Sequence, residues 1–137
     1  MSDLLDILLI QQDKTGLNLL EYRQKNTKLK TEHSDIFSGF LKAIQNISKE
    51  LDIGFPVLIS TEGVKGHNCI IVHNPPVNII LLVDHDDPID LWREQGKEIA
   101  GRFLEQFGSL VNAYDVSKYM EFIPVLKEMC QFHGYCE

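Results

Sequence analysis

Leu4-Leu5-Asp6-Ile7-Leu8-Leu9-Ile10-Gln11-Gln12, followed by Asp13-Lys14-Thr15-Gly16 and then by Leu17 to Tyr22, is the stretch on which the fold turns. Continuous aliphatics centred on Ile7–Ile10 suit a strand covered on both faces. Asp13–Gly16 is a turn, with glycine where a positive φ is often required. Leu17–Tyr22 then reads as a second strand, so the sequence predicts a β-hairpin at the start of the chain.

Working outward, Gln24–Glu32 is polar and lysine-rich and reads as a solvated loop. Ser34 or Asp35 suits a helix N-cap. Phe37, Phe40, Leu41, Ile44, Ile47 and Leu51 then recur at spacings of three and four, the pattern of one apolar face of an amphipathic helix. Gly54 and Pro56 break it. Val57–Thr61, Cys69–His73 and Asn78–Val83 read as three further strands. The Glu62–Gly66 turn and Asn74-Pro75-Pro76 join them, connections too short for a parallel crossover. Asp84-His85-Asp86-Asp87-Pro88 reads as a helix start, with aspartates facing the positive end of the helix dipole. The helix it opens carries Trp92, Ile99, Phe103, Leu104, Phe107 and Leu110 to about Asn112. Tyr119, Phe122, Ile123, Leu126, Met129 and Cys130 predict a last helix, with Pro124 in its early part.

The expected architecture is α/β in the α+β sense. A five-stranded, mostly antiparallel sheet has helices on both faces, in the order β-β-α-β-β-β-α-α, as one domain over residues 1–137. That order resembles the longin domain. The segment Ile7–Leu17 is similar to the longin opening, in which a short aliphatic strand turns at an Asp/Gly element. Phe37-Ser38-Gly39-Phe40-Leu41-Lys42-Ala43-Ile44 resembles the first helix of longin-like proteins of archaeal and trafficking type. The likeness runs from about Leu4 to Met129 and is topological and hydrophobic, with no fixed chemical signature. The related roadblock type begins with a helix before the first strand, and the profilin-like sandwich shares the broad shape; a hairpin at the start favours longin. The resemblance implies non-catalytic work: a scaffold in vesicle-traffic machinery, in tethering complexes or in the regulation of small GTPases. It also implies pairing through the sheet edge or the first helix. An analogy of fold supports only the class of function.

Composition bounds the alternatives. The chain has 137 residues, 44% hydrophobic and 24% charged, which is ordinary for a globular domain with a real core. A net charge of −7 argues against nucleic acid as partner, because phosphate binding needs a basic surface. Cys69, Cys130 and Cys136 are too few and irregular for a disulfide framework, and a reducing cytoplasmic setting is expected. Met1–Asp6 lacks the basic region of a signal peptide, and no apolar run approaches the ~20 residues that span a bilayer. Membrane association is expected only peripherally or through partners. The three lysines of the Gln24–Glu32 loop, Lys25, Lys28 and Lys30, have no aromatics between them and read as a solvated segment.

No catalytic motif stands in its proper context. There is no G-x-G-x-x-G, P-loop, G-x-S-x-G or H-E-x-x-H, and Gly63-Val64-Lys65-Gly66 reads as a hairpin turn. Asp84, His85 and Asp86 have metal-ligand chemistry, but they fall where a strand runs into a helix start. Cys130, His133 and Cys136 offer three soft ligands where structural zinc wants four. No cofactor, metal or catalytic residue is therefore assigned. Trp92 is expected in the core.

The expected function is a dimerising protein–protein interaction platform that is not an enzyme. Its partner is a small GTPase or another longin/roadblock domain. The contact residues are expected on the exposed side of the first helix, at Ser38, Lys42, Gln45 and Lys49, and on the edge strand, at Val57, Ile59 and Thr61. The alternative is a small-ligand sensor of the profilin/PAS-like sandwich type, which needs an internal cavity that the phenylalanines would otherwise fill.

Overall fold

The computed structural model describes residues 5–23, 33–112 and 114–134. In chain order the elements are β1 (Leu5–Gln12), β2 (Asn18–Arg23), α1 (His33–Glu50), β3 (Leu58–Ser60), β4 (His67–Asn74) and β5 (Val77–Asp84). They are followed by α2 (Ile89–Phe107), a short 3-10 helix (Ser117–Phe122) and α3 (Ile123–His133). The strands form one sheet in the order β2-β1-β5-β4-β3, with every neighbour antiparallel.

β1 and β5 lie side by side at the centre, in register from Ile7↔Leu82 to Gln12↔Val77. Their continuous aliphatics are explained by burial on both faces. Leu8, Ile10, Ile79 and Leu81 enter the larger core, under α2 and α3. Ile7, Leu9 and Ile80 enter a smaller one, under α1. The larger core is filled by Trp92, Ile99 and Phe103 of α2, by Tyr119 and Phe122, and by Leu126 and Met129 of α3. The rings of Phe103 and Phe122 meet edge to face at 5.3 Å. Gly96 lets α2 lie close on β4, since a Cβ there would come within 2.6 Å of Val72 Cγ2.

Several boundaries differ from the sequence reading, and the expected last helix is a 3-10 helix over Ser117–Phe122 followed by α3. α1 already includes Ser34 and Asp35, so neither is its cap. α2 stops at Phe107, short of Asn112, because Gly108 turns the chain at φ 78° and its N–H closes back on Leu104 O. Leu110 therefore leaves the helix and is exposed. β3 shrinks to Leu58–Ser60 while β4 lengthens to His67–Asn74, which leaves β3 a short edge strand. The lysines of the Gln24–Glu32 loop, and Cys136, lie outside the described residues.

Candidate interaction surface

α1 is seated on the sheet by a side that mixes polar and apolar residues. Ser38, Gln45 and Ser48 are buried at 4%, 5% and 8% exposure, on the same side as the fully buried Leu41. The apolar positions Ile36, Phe40, Ile47 and Leu51 stand 72%, 53%, 58% and 62% exposed. Phe37 and Ile44 are half-buried between the two sides, and Phe37 packs against the smaller core.

The cause is the surface beneath. At the Gln11 end of β1 the sheet presents polar groups to α1, and Gln11 and Asn78 are both fully buried. Gln45 Nε2 donates to Gln11 Oε1 at 3.2 Å, and Asn78 Nδ2 donates to the same oxygen at 3.0 Å. The Ser38 hydroxyl donates to Asn18 Oδ1. Lys42 Nζ donates to Asp13 O at 2.7 Å, with its stem lying over Gly16. A buried polar group costs free energy unless it is hydrogen-bonded, so the side of the helix that carries these polar groups is the side that fits this ledge. Ile36, Phe40, Ile47 and Leu51 are left facing water.

Residues 51–57 connect α1 to the edge strand β3, and Phe55 in that connection stacks on His73 of β4 at 3.7 Å. Ile71 N–H donates to Val57 O at 3.0 Å and Thr61 N–H to His67 O at 2.9 Å, on either side of the Ile59↔Cys69 pair. Alternation along an antiparallel ladder then turns the backbone N–H and C=O of Leu58 and Ser60 outward. Among the described residues no strand pairs with that outer side. Val57 and Leu58 are themselves partly exposed.

The residues expected at the surface are thus redistributed. Ser38 and Gln45 do not lie on the exposed side of α1; they are buried against the polar ledge. Lys42 is half-buried and tied to the β1–β2 turn, and Lys49 alone of the four is exposed. Ile59 packs its side chain against the smaller core, while Thr61 is exposed in side chain but bonded inward through its backbone. Ile36, Phe40, Ile47 and Leu51, and the backbone of Leu58 and Ser60, were missed as surface. The signal was present: Ser38, Leu41, Gln45 and Ser48 fall at helical spacings of three and four, matching the polar strand-end residues Gln11 and Asn18.

The structure also places the other polar clusters that the sequence offered. Asp84 Oδ1 accepts from Asp86 N–H at 3.0 Å and Asp84 O accepts from Asp87 N–H at 3.1 Å, forming the turn that leads to α2 at Pro88. Cys130 is buried in the larger core, and His133 turns to Glu98 of α2 at 3.3 Å. Trp92 is buried in that core as well. Burial against aliphatics pushes the Cys69 thiol up to about 12. No helix among the described residues is long and apolar enough to cross a membrane.

No protein-family model matches the chain, and no curated protein sequence does. Among solved structures it is similar to MglB of Myxococcus xanthus, with 17% identity over 77% of this chain and 85% of that one, at a TM-score of 0.55. It is also similar to the gliding protein MglB of Thermus thermophilus, with 16% identity over 74% of this chain and 79% of that one, at a TM-score of 0.50. At such identities the likeness concerns the fold. It bears out the expected α+β architecture, a five-stranded antiparallel sheet in the order β2-β1-β5-β4-β3 with α1 on one face and α2 and α3 on the other.

Proposed function

We propose that this chain is a non-catalytic protein–protein interaction platform that pairs with a second copy of itself, or with another domain of the same fold, and works in the regulation of a small GTPase. The observation that carries the pairing is the outward apolar stripe of α1 together with an edge strand that has open backbone groups. Contiguous exposed apolar surface of this kind marks an interaction site, and an open edge accepts a further strand.

A second copy suits both halves of the surface. Antiparallel pairing of β3 with another β3 about a twofold axis would continue the sheet and bring two α1 stripes together. Gly39 and Ala43 lie between Ile36, Phe40 and Ile47 on the outer side, and nothing would meet a Cβ at Gly39 within 4 Å. Small residues beside large ones give a helix surface a notch next to a ridge, the shape that lets two helices approach closely.

The GTPase link and the wider setting in vesicle-traffic-type complexes rest on the longin resemblance, as does the cytoplasmic location. The likeness to MglB supports the fold on which that reading depends. The test is size-exclusion chromatography with light scattering, first on the chain alone and then with small GTPases of the same organism in each nucleotide state. A dimer that shifts with one nucleotide form is expected. A monomer at high concentration would overturn the pairing, and a dimer indifferent to every GTPase would remove the regulatory part.

A further inference from the structure

Arg93 belongs to α2, on the face of the sheet opposite α1, yet it reaches the β3–β4 edge. Its Nη1 donates to Ile71 O at 3.3 Å and its Nη2 to Val57 O at 3.2 Å. Val57 and Ile71 stand one step beyond the Leu58↔Ile70 pair, in the position of a hydrogen-bonded rung. A regular rung has two N–H···O bonds, one in each direction. Here the backbone supplies one of them, Ile71 N–H to Val57 O at 3.0 Å. The guanidinium supplies a donor to the carbonyl of Ile71, where the Val57 N–H would otherwise point.

We infer that Arg93 is the positioning residue of the β3 docking edge: its guanidinium completes the Val57–Ile71 rung and so holds Leu58 and Ser60 with their backbone groups facing outward. The inference deepens the pairing proposed above and rests on it for the docking role. β3 is short, and its far end is already tied by Thr61, whose N–H donates to His67 O at 2.9 Å and whose hydroxyl accepts from His67 N–H at 2.9 Å. The near end follows the breaker Pro56 and has Arg93 as its second tie. The planar fork places two separate nitrogens on the two carbonyls, one on each strand, where an ammonium would have to serve both from a single nitrogen. Arg93 is in turn held firmly, because its helix is anchored by buried Trp92 on one side and by the close approach of Gly96 to Val72 on the other. The larger core thereby dictates the position of an edge that faces a partner.

The test uses Arg93→Gln and Arg93→Lys in the full chain, with three readouts: amide hydrogen exchange resolved at Ile71, the urea midpoint, and the dissociation constant of self-association. With Arg93→Gln the Ile71 amide is expected to exchange about tenfold faster or more, the scale of a lost charged hydrogen bond; because the unfolded chain lacks that bond too, global stability in urea falls by no more than the same factor implies. Self-association weakens by a similar factor, and Arg93→Lys, which keeps the charge but not the fork, recovers little of either. Unchanged exchange at Ile71 would overturn the inference. So would faster exchange at Ile71 with self-association intact, which marks a merely structural role. A wild-type monomer would overturn the pairing reading and the docking half of this inference with it, while Ile71 exchange still decides the rung.

Discussion

Ser48 and Ile47 are neighbours on α1 with inverted environments: the serine is 8% exposed and the isoleucine 58%. The helix is amphipathic, but the side on the sheet is mixed, with Ser38, Gln45 and Ser48 buried beside Leu41. Exposed positions of this kind contribute little to monomer stability, usually within about 0.5 kcal/mol. Ile47→Glu combined with Phe40→Ser is therefore expected to leave the urea midpoint almost unchanged while abolishing self-association in light scattering. Loss of the fold with retained pairing would contradict the placement of this stripe.

Leu41 is the counter-example on the same helix. It is fully buried with Ile7, Leu9, Cys69, Ile71 and Ile80 in the smaller core. Leu41→Ala is expected to cost about 2–5 kcal/mol in equilibrium urea unfolding, from lost burial plus the cavity left behind. A cost below that of Ile47→Ala would mean that α1 is not seated as described.

Gly16 is required twice over. Its φ is +76°, and a Cβ there would meet the Lys42 stem at 2.7–2.8 Å. Gly16→Ala is expected to destabilise the chain by about 1 kcal/mol or more, read as a fall in Tm. Adding Lys42→Ala relieves only the Cγ and Cδ contacts, since the Cβ of residue 42 stays at 2.8 Å; it leaves the backbone strain and deletes the bond to Asp13 O. The two substitutions are thus expected to be less than additive in a double-mutant cycle.

Cys69 gives a pH signature. Its thiol is pushed up to about 12 by burial, so the folded chain keeps it neutral at pH values where the unfolded chain ionises it. The sign follows from linkage. A raised folded pKa contributes stability that is complete below the ordinary thiol pKa and is lost as pH rises toward the folded value. Native Cys69 is accordingly expected to resist alkylation at mildly alkaline pH, with peptide mass spectrometry showing modification only as fast as the protein opens. Fast labelling without unfolding would show that this face of the sheet is open.

Much of the fold was legible from short-range signals. The unbroken aliphatics of Ile7–Ile10 and of Ile79–Val83 each demanded cover on both faces, and both strands proved central. The turn at Asp13–Gly16 and the breakers Gly54 and Pro56 set connections, because φ and hydrogen-bond donors are local properties. Leu110 was misplaced because periodicity continues past a helix end that one glycine, Gly108, decides. The surface was less legible. An apolar stripe at helical spacing has the same pattern whether it faces a core or a partner, and Phe37, Phe40, Ile47 and Leu51 resemble a core stripe until the underlying surface is known.

What the sequence by itself determined is the element order, the antiparallel meander and the two-sided burial of β1 and β5, since each follows from residues close together along the chain. What only the tertiary structure decided is which side of α1 meets the sheet, and which backbone groups of β3 are left open. Gln11, Asn18 and Asn78 come from three separate places in the chain, and folding brings them to the α1 side of the sheet, where they bond Ser38 and Gln45 directly or through one another. Arg93 reaches Val57 and Ile71 from the opposite face by the same long-range assembly. Hydrogen bonding in a buried setting is a property of groups meeting in space, and here it joins the burial of Leu41 and Phe37 in seating the helix.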